Sequence, residues 1–379
     1  MTFKNIMFYE IKQQMKSRIF YAFIIVLIIM MLTNYNANNT RLKPLEKDGY
    51  YGYTSTTVDE DVLYRGYELL HMAYLDKQVI RYIPLGTFTD LSESQLEELG
   101  DFLEKMAPNK DPFTVTRKDF QIDVTTMFKY MEKLDEQVGG KTYFSDQEYF
   151  YSKKMTYEEA IEARHQIKEQ DDYTRAYARL FSDYFGIDAA FFVLFVVAFS
   201  MYRDIRTGQR ELYYTSNTTA LSYIGGKFCG LLCSIMSVFL LFALLETLLF
   251  AIQAIQYGEH IDLLAFLWTS FVWLTPTVMF CIAFPLLIYT VTNRFSLTVI
   301  SQFAFSSYML YTTSLSDDYG ITRLIIRFNQ LAPYEVFEPF AHSILINRIF
   351  YVVLSLVILG LTGYIWSFRK KRVLQSIDL

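Results

Sequence analysis

The sequence RDIRTGQRELYYTSNTTALSYIGGK, residues 203–227, lies between two apolar runs that are each long enough to approach the width of a bilayer. Its first half is charged, a glycine stands at Gly208, and its second half is amphipathic. A segment of this kind favours a short helix that lies against the inner face of a membrane. We therefore predict that residues 203–227 form a cytosolic coupling segment.

The composition on either side of this segment indicates the class of protein. Of the 379 residues, 52% are hydrophobic and 17% aromatic, and the apolar residues are concentrated in continuous runs. A helix rises about 1.5 Å per residue, so roughly 20 apolar residues cross a hydrocarbon core of about 30 Å. The strands of a β-barrel would instead alternate apolar and polar residues. We predict a polytopic α-helical membrane protein.

Residues 1–18 are predicted to be an interfacial amphipathic helix, because apolar residues recur at spacings of three and four and charged residues such as Glu10 lie elsewhere. The apolar residues are Phe3, Ile6, Met7, Ile11 and Met15. The apolar run that follows lacks a small-residue cleavage site, so it is interpreted as a retained span. Six spans are predicted in all. They cover residues 19–33, 186–202, 228–254, 263–291, 296–312 and 344–368.

Lysine and arginine near the span ends set the predicted orientation. They precede the first span, lie in residues 203–227, separate the fourth and fifth spans at Arg294, and follow the sixth span. Both termini, including the tail 369–379, are therefore predicted to be cytosolic. Residues 34–185 and the link 313–343 are then extracellular.

Residues 34–185 are polar and long enough to form a separate domain. Residues 34–188 hold 19 Lys and Arg against 29 Asp and Glu, and all three cysteines lie in apolar runs, so no disulfide is expected in this domain. We predict a helix-rich α+β domain. Helices are expected at residues 90–106 and 145–184, and one or two strands within residues 112–126.

No catalytic, nucleotide or metal site is predicted in this chain. The GGKT sequence at residues 139–142 lacks the earlier glycine of a phosphate-binding loop, because Asp135 stands there. The four histidines are scattered and form no metal motif. Any ATP hydrolysis must come from another polypeptide, and no nucleic-acid partner is expected.

Glu246 is interpreted as the one acid deep within a span. Ionisable residues in lipid commonly face the bundle interior or a polar cavity, so Glu246 is a pathway candidate. The alternative is a structural carboxyl that is hydrogen-bonded between helices.

Residues 203–228 resemble the cytosolic segment of ABC-2-type permeases, the membrane subunits of ATP-driven exporters. That family has an acidic residue, a basic residue and glycine, then glutamate with leucines, a threonine or serine, and a helix that ends in glycine-lysine. The matching positions are Asp204, Arg206, Gly208, Glu211-Leu212, Thr215-Ser216 and Leu221 to Gly226-Lys227. Aspartate replaces the usual glutamate at 204, and Tyr213, Tyr214 and Asn217 replace the usual leucine and proline.

The resemblance implies six spans, a second copy or a related permease, and separate ATPase subunits that bind ATP and Mg²⁺ at the inner face of a bacterial cell membrane. It implies that the residues contacting the ATPase are Asp204, Arg206, Gly208, Gln209, Arg210, Glu211 and Leu212. A domain between the first two spans is similar to one subclass of the family. Peptides, lipids, drugs and ions all remain open as cargo.

Two other interpretations stay open at this point. The arginines of the coupling segment could serve topology alone, without a partner, although that would not explain the amphipathic continuation. The whole chain could instead be a membrane-anchored sensor or scaffold whose extracellular domain binds a ligand without transport. An ion channel is less favoured, because no filter sequence or ring-forming acid is visible.

Overall fold

The computed structural model describes residues 2–35, 41–81, 87–108, 114–311, 320–326 and 331–377. They form two compact units, which we name the membrane unit (Met1–Pro44 and Ala163–Leu379) and the polar unit (Leu45–Glu162). The polar unit is narrower than the predicted domain 34–185, because residues 163–185 belong to the membrane unit.

The membrane unit begins with two capped helices. Helix α1 spans Phe3–Gln14, and the Thr2 hydroxyl accepts a hydrogen bond from its first turn. Ser17 caps α2, Arg18–Met30, in the same way, and α2 continues as one π-helical turn, Met31–Tyr35. A hydroxyl at the N-cap satisfies a backbone N–H that has no partner within the helix.

The other helices of this unit are long and apolar, with the exception of α8. They are α7 (Tyr173–Arg206), α8 (Gln209–Thr215), α9 (Gly226–Tyr257, preceded by a π turn at Leu221–Gly225), α10 (Ala265–Thr292), α11 (Phe295–Tyr311) and α12 (Tyr334–Ile377). In the described part of the chain, five helices are long and apolar enough to cross a membrane, and α11 is a shorter apolar helix. The helical multi-pass character predicted from the sequence is confirmed at this level.

Helix α7 begins well before the predicted span 186–202. Its 34 residues rise about 51 Å, which exceeds a hydrocarbon core of about 30 Å. The early start places Asp188 in the middle of a helix rather than at its edge.

Helix α10 packs along α7, α9, α11 and α12. It contains Pro276 and Pro285, and both face the interior. Neighbouring helices surround the backbone groups that these prolines free, as a proline-containing membrane helix requires.

The short segment 320–326 is inserted into the membrane unit, with Leu324 and Ile325 completely buried. Asn347 of α12 donates to the carbonyl of Gly320, and Arg348 donates to the carbonyl of Leu324. Segment 320–326 of the predicted link 313–343 is therefore held by side chains of α12, and residues 334–343 of that link belong to α12 itself.

The described residues of the polar unit include three α-helices, two short 3-10 helices (Tyr143–Ser145 and Gln147–Phe150) and two small antiparallel sheets. The helices are α3 (Asp59–Asp76), α4 (Glu93–Met106) and α5 (Val124–Gln137), and α6 (Tyr157–Asp171) begins at its end. Strand β1 (Tyr53–Ser55) pairs with β4 (Ser152–Lys154), and β2 (Gln78–Arg81) pairs with β3 (Thr87–Asp90). Buried Leu70, Leu99, Met106, Met127 and Phe150 contribute to one core.

Three local predictions for this region have different outcomes. The expected helix at 90–106 is present as α4, and Ser92 and Gln95 form a complete capping box. From residue 114 onward the expected strand within 112–126 is absent, and residues 112–113 lie outside the described residues. The helix expected from residue 145 begins only at Tyr157, because residues 152–154 pair with β1 instead.

Candidate functional site

Three helices meet at a buried ionic network at the α1 end of the membrane unit. The Lys227 side chain, 1% exposed, donates from Nζ to Glu10 Oε2 at 3.0 Å and to Asp204 Oδ2 at 2.8 Å. Glu10 lies on α1, Asp204 near the end of α7, and Lys227 in the first turn of α9. One ammonium group therefore joins all three helices.

Further polar groups complete this network. Arg203 donates from Nη2 to both oxygens of Glu10, at 3.1 and 2.9 Å, and the Ser200 hydroxyl donates to Glu10 Oε1 at 2.6 Å. The Tyr223 hydroxyl donates to Asp204 Oδ2 at 2.9 Å. Two acids are thus matched by two cations, which is the condition for keeping such charges away from water.

The charge state of Glu10 follows from these neighbours. Burial raises the pKa of its carboxyl, but Lys227 and Arg203 oppose that effect and lower the pKa to about 2. Glu10 is therefore a carboxylate at neutral pH, and the network holds two negative and two positive groups.

Glycines of α9 allow α1 to approach this closely. A Cβ atom at Gly226 would lie 2.9 Å from the Phe3 carbonyl oxygen. A Cβ at Gly230 would lie 2.7 Å from Glu10 Cβ and 2.8 Å from the Met7 carbonyl oxygen. Real Cβ atoms do not make contacts this short. Helix α1 can therefore pack this closely against α9 only where α9 has glycine.

Helix α8 follows the network and is fixed at both ends. Gly208 precedes it with φ at +71°, a backbone conformation that favours glycine. Arg210 donates to Asn293 Oδ1 at 3.0 Å, in the turn between α10 and α11. Lys370 of α12 donates to the carbonyl oxygens of Ser216, just after α8, and of Thr218, the latter at 2.8 Å.

Two tyrosines of α8 that differ from the ABC-2 pattern, Tyr213 and Tyr214, face the interior of the membrane unit. Tyr213 and Tyr214 are buried, Tyr213 packs on Tyr223 with ring centroids 4.7 Å apart, and Tyr214 packs on Trp366 at 5.3 Å. These tyrosines occupy apolar positions on the inner side of α8, so they do not alter its outer side.

The outer side of the same segment is exposed. The predicted contact residues Arg206, Gly208 and Glu211 face outward. Leu212 is 59% exposed and Leu221 is 77% exposed. We name the exposed residues of 206–221 the outer surface. The structure separates the predicted site residues, because Asp204 is buried in the network while Gln209 and Arg210 are half-buried.

Glu246 lies elsewhere in the membrane unit and is fully buried. Arg41 forms a bidentate ion pair with it, with Nε–Oε2 at 3.0 Å and Nη2–Oε1 at 2.9 Å. Gln253, two turns further along α9, accepts from the Leu42 N–H at 2.9 Å. Glu246 therefore anchors the chain that follows α2, which favours the structural alternative over a pathway role.

A different acid borders a cavity within the membrane unit. The cavity measures about 440 Å³ and lies between the end of α2, α7 and α11, with walls that include Tyr35, Phe192 and Phe303. Asp188 is 7% exposed and has no hydrogen bond or ion pair among the described residues. Sequence reasoning missed it because the span was predicted to begin at residue 186.

The GGKT sequence of the polar unit forms a turn in which the polar groups of Thr142 already bind the side chain of Asp135. Asp135 Oδ1 accepts from both the backbone N–H and the hydroxyl of Thr142, each at 2.7 Å. A carboxylate in this position repels a phosphate group. Across the ranges that the structure describes, no group of three or more His, Cys, Asp or Glu residues could hold a metal ion.

No family model, curated protein or solved structure matches this chain.

Proposed function

We propose that this chain is the membrane subunit of an ATP-driven exporter of the ABC-2 type, which couples to separate ATPase subunits through the outer surface. The observation that carries the proposal is that this exposed surface is attached to a buried network joining α1, α7 and α9. Exposed leucines beside charged residues are suited to docking into a groove on a partner.

The attachments of α8 give the surface a mechanical role. A displacement of α8 would act directly on α7 through the turn at Gly208, and on α12 through Lys370. It would also act on α9 through Asp204 and Lys227. Rigid helices joined by buried polar contacts can transmit such movement to a distant site.

This proposal includes the finer topology predicted from the sequence. The α1 end faces the cytosol of a bacterial cell, the polar unit lies outside, and α11 is the fifth of six spans. Its 17 residues reach the lower limit of about 17–25 residues for a crossing helix. A second permease copy completes the pathway, and the exposed apolar faces of the helices contact lipid.

The cavity beside Asp188 is the candidate cargo site. A volume of about 440 Å³ falls within the range of roughly 300–1,000 Å³ for small-molecule sites. Aromatic walls favour a hydrophobic ligand, and the Asp188 carboxyl favours a cationic group on it, because that charge would stabilise the ionised form of the acid.

The first test is purification of the chain from its native membrane in mild detergent, followed by mass spectrometry and an ATPase assay. We expect an ATP-hydrolysing subunit to co-purify. The double variant Leu212→Ala/Leu221→Ala should lose most of this subunit while the protein still inserts. A matched control is Ile255→Ala, which truncates a side chain that is 87% exposed on α9, outside the outer surface.

Retention of the ATPase by the double variant would exclude the outer surface as the docking site. Absence of any ATPase from the wild-type preparation would contradict the exporter proposal as a whole.

A sensor or scaffold is the second candidate function, and one observation favours it. The polar unit contains a cleft of about 530 Å³ lined by charged side chains, which a simple linker between spans does not require. Cargo should change ATP hydrolysis by the partner of an exporter, whereas a sensor would bind its ligand with no vectorial movement.

A further inference from the structure

The cleft in the polar unit differs in charge from the unit around it. Residues 45–162 contain 13 Lys and Arg against 24 Asp and Glu. Among the described residues, five of those cations and two of the acids line the cleft. A unit with a strong excess of acid therefore concentrates cations around a cavity of about 530 Å³.

Three separate elements supply the cations. Arg65 comes from α3, Arg117 and Lys118 from the segment between α4 and α5, and Lys153 and Lys154 from β4. Groups that converge from different elements surround a ligand more completely than a row of charges along one helix.

The two acids of the cleft pair closely with three of these cations, and Glu159, outside the lining, pairs with a fourth, Lys153, at 2.6 Å. Asp61 accepts from Arg117 Nε at 2.8 Å, and Glu68 pairs with Lys154 at 2.5 Å and with Arg65 at 2.9 Å. Each acid is buried more deeply than the side chains of Arg117 and Lys154, which remain about half exposed. The acids thus position the cations without neutralising all of them.

One cation of the cleft has no acidic partner, and another is rigidly packed. Lys118 is exposed and makes no ion pair in the part of the chain that the structure describes. The Arg65 guanidinium carbon lies 4.3 Å from the ring centroid of Tyr53 and 5.4 Å from that of Tyr149. Its Nε is buried without a hydrogen-bond partner. A fixed guanidinium loses little freedom when a ligand binds.

We propose that this cleft binds a phosphate-bearing ligand that carries at least two negative charges. A phosphate group offers several acceptor oxygens in a tetrahedral arrangement, so cations from three directions can reach it at once. A planar carboxylate would satisfy fewer of them. The inference rests on the polar unit alone and does not depend on the exporter proposal.

The test uses the full-length chain in phosphatidylcholine nanodiscs, with inorganic pyrophosphate as the probe in isothermal titration calorimetry. We expect saturable binding to the wild type. The double variant Lys118→Gln/Lys154→Gln should weaken it by about tenfold or more, because two charge-assisted hydrogen bonds are lost.

A matched control is Lys105→Gln/Lys129→Gln, which makes the same change in net charge at two exposed lysines of the polar unit outside the cleft. Its affinity should stay within about twofold of the wild type. Lys118→Arg/Lys154→Arg should retain binding and thereby show that the cleft variants act through charge.

Absence of saturable binding to the wild type, or equal loss in the cleft and control variants, would overturn the proposal. A second arm identifies the source of the phosphate. If nanodiscs that contain phosphatidylglycerol compete with pyrophosphate, the cleft binds lipid headgroups. If they do not compete while glycerol phosphate does, the ligand is a soluble or polymeric phosphate.

Discussion

Replacing Lys227 by methionine should release α1 from the membrane unit. Methionine keeps the length and apolar stem of lysine but removes the charge that bridges Glu10 and Asp204. Two buried carboxylates would then share Arg203 alone. Removing one partner of a buried ion pair costs about 3–5 kcal/mol, which is a large part of the stability of a typical domain.

The assay is reversible unfolding in mixed micelles, which gives the free energy of unfolding for each variant. We expect Lys227→Met to lower it by about 3–5 kcal/mol. The double variant Glu10→Gln/Lys227→Met should recover part of this loss, because it removes one of the two acids that would otherwise share Arg203, with a coupling energy of about 1–3 kcal/mol. Lys371→Met is the control, since that lysine is exposed and should change the free energy by less than about 0.5 kcal/mol.

Two results would refute this reasoning. If Lys227→Met unfolds within about 0.5 kcal/mol of the Lys371→Met control, the network does not hold α1. If the effects of the two substitutions in the double variant simply add, Glu10 and Lys227 are not energetically coupled, whatever their distance.

Four further predictions follow from other contacts. Gly230→Ala should lower the free energy of unfolding by about 1–3 kcal/mol because its Cβ would overlap α1, whereas Gly360→Ala, with open space around it, should not; equal effects would refute the role of close packing. Because the pKa of Glu10 is lowered in the folded state, its contribution to stability should be constant above about pH 4.5 and be lost as the pH falls toward about 2; Glu10→Gln should lack this dependence in acid titrations followed by circular dichroism. Glu246→Gln weakens a buried ion pair and should cost about 1–3 kcal/mol in the same unfolding assay, and a change in the pH profile of transport instead of stability would restore the pathway role. Asp188→Asn should leave stability unchanged or raised but abolish stimulation of the partner ATPase by lipophilic cations, and retained stimulation would exclude the cavity as their site.

The sequence predicted those features that depend on local pattern. A helix is present within residues 1–18 as α1, although Glu10 and Gln14 lie on its buried face, and the capping residues before α4 mark the start of α4. The apolar runs predict the long helices of the membrane unit because burial of such runs in lipid needs no knowledge of the partner helix. The starts of helices were predicted less well. Helix α7 begins at Tyr173 with several polar turns, and periodicity alone does not show whether such turns belong to a membrane span or to a separate soluble helix.

The candidate sites depend on pairs that are distant in sequence. Glu10 belongs by its spacing to the polar side of α1, and only Arg203 and Lys227, some two hundred residues later, make it a buried anchor. Glu246 likewise finds Arg41 across more than two hundred residues. No local rule assigns such partners, so the sequence could predict the acids but not their pairing.

The contact between Lys370 and the end of α8 has a consequence for biosynthesis. The carbonyl oxygens after α8 are made early, but the lysine that binds them is synthesised about 150 residues later. At a synthesis rate of roughly 5–20 residues per second, about 8–30 s pass between synthesis of these carbonyl groups and synthesis of Lys370. Once α9 has been synthesised, a nascent chain has α1, α7 and α9 available to assemble, while α8 is held at one end only. In the proposed exporter, docking of the ATPase on the outer surface would thus be postponed until α12 has left the ribosome, and chains truncated before α12 would present an incomplete surface.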